Sequence, residues 1–215
     1  MPTDENQSSE LKNQQLTRDI DEQSKSVDES RRLFVKSSFV VSGVMLTLAS
    51  RPAFGWGGIC QAPSGFVSGN VSSHGHQTTC IGCKPSYWCD HPSEWPSDYQ
   101  TGKCDSHKLG GSRNPDNWSG GTLFRKDFNC SGQGRIYYDK THMQVCVGVP
   151  GDSYQLGSHI MAACLNAKKG YTPVLQEAQV KNMFNEWCLR GYFEPTAGVR
   201  WYAEDIVAYL QTTMR

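Results

Sequence analysis

Val180-Lys-Asn-Met183-Phe184-Asn-Glu-Trp187-Cys188 places apolar side chains at i, i+3, i+4, i+7 and i+8. That spacing lines one face of an α-helix. The pattern runs from about Pro173 to Arg190, and Gly191 just past it suits the left-handed backbone that closes many helices. Upstream, Ser158 to Lys169 carries Ile160, Met161, Cys164 and Leu165 at i, i+1, i+4 and i+5. Lys168 and Lys169 fall in its last turn, where the helix dipole favours cations, and Gly170 stops it. Downstream, Tyr202 to Met214 aligns Ile206, Val207, Leu210 and Met214, with Glu204 and Asp205 in the first turn. Three amphipathic helices with short connections are expected to pack as one unit. Cys164 and Cys188 fall on their apolar faces, either as core residues or as a staple between helices.

The residues from Trp56 to about Ser131 read differently. They are dense in Gly, Ser, Pro, Asn and Cys and lack a helical or strand period. Loops and short elements are expected there, around the aromatic anchors Phe66, Tyr87, Trp88, Trp95 and Trp118. Within 132–150, Gly134–Tyr138 and the alternating Val145, Val147 and Val149 suggest a small β-hairpin across Asp139–His142. The expected fold is therefore mainly α, with a disulfide-stapled, loop-rich N-terminal half and three C-terminal helices over 156–215.

Ahead of this lies Ser30-Arg31-Arg32-Leu33-Phe34-Val35-Lys36, followed by a diluted apolar run to Ala49. A basic stretch, a short apolar segment and a small-residue exit make up an export peptide. The pair Arg31-Arg32, with Phe34 and Lys36 at their spacings, resembles the bacterial twin-arginine signal. The apolar run is too short to cross a bilayer core, which needs about 20 residues. Exits after Ala49 and after Gly55 both fit. Residues 1–29 carry eight acids against three bases in a Gln- and Ser-rich context, a composition that favours disorder. The reading is a disordered extension at 1–29, a signal at 30–55 and one extracytoplasmic domain at 56–215, in the periplasm, at the cell surface or secreted. Its partners in transit are the twin-arginine translocase and signal peptidase, and no membrane anchor is expected after cleavage.

All nine cysteines lie in the domain so defined: Cys60, Cys80, Cys83, Cys89, Cys104, Cys130, Cys146, Cys164 and Cys188. Their confinement there points to disulfides in an oxidising compartment, each typically worth about 2–4 kcal/mol. The pairing stays open, since even eight cysteines allow about 105 connectivities. The same residues hold 14 Lys plus Arg against 13 Asp plus Glu, with no basic stripe. That excludes nucleic acid as an expected partner.

Cys83-Lys-Pro-Ser-Tyr87-Trp88-Cys89-Asp90-His91-Pro92-Ser-Glu-Trp95-Pro96 resembles a motif of bacterial exported proteins, Cys-x-Pro-Gly-Tyr-Trp-Lys-Asn-His-Pro-x-x-Trp-Pro. Ala162-Ala163-Cys164-Leu165-Asn166-Ala167 is similar to the Ala-Leu-Leu-Asn-Ala helix that accompanies it, and Gly191–Trp201 looks like a further part. That family is of uncharacterised biochemical function, so the resemblance implies export and architecture but no reaction. Cys89-Asp90 replaces the usual Lys-Asn, and Ser86 the usual Gly.

One constellation suits a metal: His74-Gly-His76-x3-Cys80-x2-Cys83, with His91 and His107 nearby. Imidazole and thiolate favour zinc or copper. The competing reading places Cys80 and Cys83 in different disulfides and leaves the histidines as surface polar groups. No Gly-x-Ser-x-Gly elbow occurs, and Glu204 and Asp205 fit a helix N-terminus better than an acid pair. His159 and Glu94 have nothing to select them. Tyr87, Trp88 and Trp95 suit core packing before stacking on a sugar. The expected function is an exported binding, assembly or structural module with a protein or glycan partner. The alternative is a metal-dependent or redox enzyme centred on His74, His76, Cys80 and Cys83.

Overall fold

The computed structural model describes residues 60–68 and 79–215, all within the contact unit Phe54–Arg215. The twin-arginine pattern, the apolar run and residues 1–29 lie outside the described residues. Among the described residues six α-helices occur in chain order: α1 Pro63–Ser68, α2 Pro85–Asp90, α3 His142–Val147, α4 Leu156–Lys168, α5 Glu177–Arg190 and α6 Ala203–Thr212. Two antiparallel strand pairs accompany them, β1 Lys103–Cys104 with β2 Trp118–Ser119, and β3 Phe193–Thr196 with β4 Val199–Trp201. Short 3-10 turns carry much of the rest of 92–137. The fold is mainly helical, with a loop-rich N-terminal half, a disulfide from Cys60 to Cys80 and three longer helices at the C-terminus. Among the described residues no helix is long and apolar enough to cross a membrane.

α4 is the centre. Every residue from Leu156 to Asn166 is buried, so the one-sided stripe read from the sequence is only part of its contact surface. Small residues on its other faces, Gly157, Ser158, Ala162 and Ala163, let neighbours approach all round; α3, α5, α6 and α2 do so. A Cβ on Gly157 would sit 2.6 Å from the Tyr137 ring and 2.7 Å from Val145. α5 buries Val180, Met183, Phe184, Trp187 and Cys188, the five residues of the stripe, and ends at Gly191 with φ of 80°. α6 buries Ile206, Val207, Tyr209 and Leu210. Its first-turn Asp205 accepts a hydrogen bond from the Tyr202 backbone N–H at 3.0 Å, which accounts for that acid as a cap.

The hairpin expected over 132–150 is absent. Gly132–Tyr137 forms a 3-10 turn, and His142–Val147 is α3. The competing signal is a capping box: the Thr141 hydroxyl accepts from Gln144 N–H at 3.2 Å, and Gln144 Oε1 accepts from Thr141 N–H at 2.9 Å. Three alternating valines do not outweigh two satisfied helix-end donors, and the Val145 carbonyl gains the Ser158 hydroxyl at 3.1 Å. The hairpin that does form is β3–β4, turning at Gly198 with φ of 81°.

The side chain of Asn166 clamps the irregular half to α4. Asn166 Oδ1 accepts from the Cys83 backbone N–H at 2.8 Å and from Trp88 Nε1 at 3.1 Å, while its Nδ2 donates to the Cys83 carbonyl at 2.8 Å. Trp88 is fully buried, and Trp95 Nε1 donates to its carbonyl at 2.9 Å. Trp88, Trp95 and Trp118 are core residues, as their anchor reading expected. Gly82 beside the clamp has no room for a side chain: a Cβ would meet Thr213 O at 2.6 Å and Asn166 Nδ2 at 2.8 Å.

Asn166→Leu keeps the branched shape but removes the partners of the buried Trp88 indole N–H and of the half-buried Cys83 N–H and carbonyl. Each costs about 1–3 kcal/mol, so urea unfolding should show a loss of roughly 3 kcal/mol or more. A loss below about 1 kcal/mol would show that the clamp does not hold this half of the fold.

Candidate functional site

The metal constellation does not assemble. Cys80 is bonded to Cys60, so its sulfur cannot serve as a thiolate ligand. Cys83 is a half-buried thiol, pushed up by burial and by the charge of Glu94. His74 and His76 lie outside the described residues. Among the described residues no group of three or more His, Cys, Asp or Glu side chains is placed to hold a metal ion. The expectation of zinc or copper is thereby corrected: the disulfide removes one of the four ligands and the Asn166 clamp fixes the backbone of another.

The remaining sequence candidates have local roles. His91 stacks on Tyr87 with centroids 4.2 Å apart, and its Nδ1 lies 2.8 Å from the Tyr87 carbonyl oxygen. Glu94 accepts from the Tyr87 hydroxyl at 2.7 Å, which raises that phenol to about 12. His159 Nδ1 lies 2.8 Å from the Gln155 carbonyl oxygen, and His107 is exposed. Of the nine cysteines, Cys60 and Cys80 are joined. Cys83, Cys89, Cys104, Cys130, Cys146, Cys164 and Cys188 stand as thiols. Cys164 and Cys188 are buried in the core as their faces required, and burial pushes both thiols up.

Two polar groupings escaped the sequence reading. The first is an ion-pair chain that begins at His142, which is fully buried between Tyr99, Phe124 and Phe128. Its Nε2 lies 3.2 Å from Asp127 Oδ2, out of line for a hydrogen bond. Asp127 Oδ1 continues to Lys181 at 3.0 Å, Lys181 to Glu177 at 2.7 Å, Glu177 to Lys168 at 3.3 Å, and Lys168 to Asp98 at 2.5 Å. The Tyr99 hydroxyl donates to Glu177 at 2.7 Å. Burial lowers His142 to about 4, against the pull of Asp127 and with the help of Lys181 and Lys126, so the ring is neutral. Burial opposes ionisation of Glu177, but hydrogen bonds from Lys181, Tyr99 and Lys168 win and hold it at about 2. Every charge in this chain has a partner, which marks it as a packing device.

The second grouping is a cleft of about 480 Å³ between the end of α5, the β3–β4 hairpin and the start of α6. Trp187, Arg190 and Tyr192 come from the end of α5 and just past it, Arg200, Tyr202 and Glu204 from β4 and the start of α6, and Gln133 and Tyr154 from earlier in the chain. Arg200 lies 4.5 Å over the Tyr192 ring, and Tyr192 meets Tyr202 edge-on at 6.4 Å. Arg190 pairs with Glu186 at 2.7 Å. Tyr154 and Tyr202 are 51% and 53% exposed, whereas most other large aromatics are buried. A ring-lined cleft with guanidinium, amide and carboxylate groups can stack on a flat ligand and hold its polar edges. Sequence spacing could not find it, because its residues come from four separate segments. The one available sign was Gly191–Trp201, singled out for resemblance, which supplies Gly191, Tyr192 and Arg200.

His142 gives the protein a defined acid sensitivity. The unfolded chain takes up its imidazole proton near 6.5 and the folded chain only near 4, so stability falls as pH drops through that window. Glu177 adds a second loss between about 4.5 and 2. Urea midpoints measured against pH should fall in both windows. His142→Asn should flatten the upper one and leave the lower; an unchanged upper slope would contradict the assignment.

No family model matches the chain, and neither a curated protein nor a solved structure was found to match it.

Proposed function

We propose that this chain is an exported, disulfide-stabilised binding module, and that its ligand site is the cleft between α5, the hairpin and α6. The convergence of Tyr154, Trp187, Tyr192 and Tyr202 with Arg190 and Arg200 carries the reading. Exposed rings supply stacking faces, and Arg200 presents a guanidinium held by a ring rather than consumed by a carboxylate. The ligand class that fits is a carbohydrate bearing carboxylates, whose sugar faces stack while its acids meet the arginines. The Arg31-Arg32 pattern, the cysteine content of 56–215 and the exported-protein motif support delivery to the cell envelope or beyond, through the twin-arginine translocase and signal peptidase.

Calorimetric titration with uronic-acid oligosaccharides should show binding that neutral oligosaccharides of equal length do not match. Tyr154→Ala and Arg200→Ala, both at exposed positions, should each weaken it about tenfold, equivalent to about 1.4 kcal/mol. Binding that is absent, or indifferent to both substitutions, would refute the cleft as the ligand site. For export, Arg31→Lys combined with Arg32→Lys should leave the full chain in the cytoplasm of a bacterium with an active twin-arginine pathway, read by cell fractionation. Undiminished export of that double variant would refute the signal.

A further inference from the structure

Cys89 and Cys146 occupy the last turns of α2 and α3, two short helices that pack against each other. Their residues are 57 apart in sequence, yet the Cys89 thiol donates to Cys146 Sγ at 3.5 Å, with both side chains buried. Cys146 Sγ has a second weak contact with the Pro85 carbonyl at 3.9 Å. A disulfide needs the sulfurs about 2.05 Å apart, closer than the contact they already make. The pair also lines a second cleft, of about 170 Å³, with Ser86, Asp90, Arg113 and Ser158 around it. Arg113 is paired with Asp90 at 2.9 Å.

We infer that Cys89 and Cys146 form a second disulfide of this protein, closed after folding by a donor disulfide that enters through this cleft. The inference is independent of what the aromatic cleft binds. Cys89 is the entry point, being 7% exposed against 1% for Cys146. Its thiolate attacks one sulfur of the donor, an oxidised small-molecule or protein disulfide, and expels the first donor thiolate. Cys146 then loses its proton and attacks Cys89 Sγ, expelling the second donor thiolate from the mixed disulfide. The protein gives up two protons and two electrons; the donor leaves as two thiols. Cys146 waits as a thiol because the contact with Cys89 and its burial both raise it well above the ordinary range. The product ties α2, which belongs to the segment clamped by Asn166, to its packing neighbour α3.

The test uses the full chain with its thiols reduced, exposed to glutathione disulfide, then alkylated under denaturing conditions and mapped without reduction. Two of the seven thiols should be lost to alkylation, recovered as one peptide pair joining Cys89 to Cys146. Cys146→Ala should instead accumulate glutathione on Cys89, since nothing remains to resolve the mixed disulfide. Full alkylation of both cysteines in the treated wild type, or a cross-link from either to another cysteine, would overturn the pairing. Failure of Cys89 to take up glutathione in the Cys146→Ala chain would overturn the route of entry.

Discussion

The side-chain amide of Asn166 is the interaction on which the irregular half of this protein depends. A chain segment without sheet or long helix must still satisfy its buried backbone groups. Asn166 does so for Cys83 in both directions and takes the Trp88 indole N–H as well. Aspartate would lack the donor, leucine would lack everything, and glutamine would hold its amide one methylene further out. Because the clamp fixes residue 83, the chain just before it is stitched to two other places. Ile81 N–H donates to the Tyr171 carbonyl at 3.0 Å, and Arg215 N–H to the Gly82 carbonyl at 2.7 Å. The segments Cys83–Pro96 and Ala162–Ala167 therefore meet physically, one through its tryptophan and cysteine backbone, the other through its asparagine.

The polar groups divide by how fully they are used. Between α4, α5 and the loops at Asp98 and Asp127, lysines and carboxylates alternate so that each charge is neutralised, and the buried His142 ring stays uncharged beside them. Such a chain adds specificity of packing while its desolvation cost offsets much of its attraction. The aromatic rings divide in a different way. The rings of Phe124, Phe128, Tyr137 and Phe184 fill the core through stacked, tilted and edge-to-face contacts, whereas Tyr154 and Tyr202 stand in solvent beside arginines. Aromatic area left unburied next to guanidinium groups adds little to the core, and it is the surface on which the proposed ligand site rests.

Sulfur follows the same logic of position. Cys60–Cys80 ties the segment containing α1 to the chain just ahead of the clamp. Cys164 and Cys188 sit inside the helical layer as small apolar residues. Cys89 and Cys146 stand between these cases, buried like core residues but in contact with each other.

The sequence by itself determined the three C-terminal helices, their stops at Gly170 and Gly191, and the buried face of α5. Those features rest on contacts within about one turn, which a local period records. It also marked the loop-rich character of the first half and the tryptophans that anchor it. It misjudged 132–150, because valine alternation was weighed there and the Thr141–Gln144 capping box, equally local, was not. Tertiary structure alone decided the rest. That Asn166 meets Cys83, that His142 is neutral between Asp127 and three rings, and that Cys80 bonds Cys60 rather than a metal are contacts between residues far apart in the chain. The cleft likewise exists only once Gln133, Tyr154, α5 and the start of α6 are brought together. No local pattern encodes such meetings, since they follow from how amphipathic elements share a core.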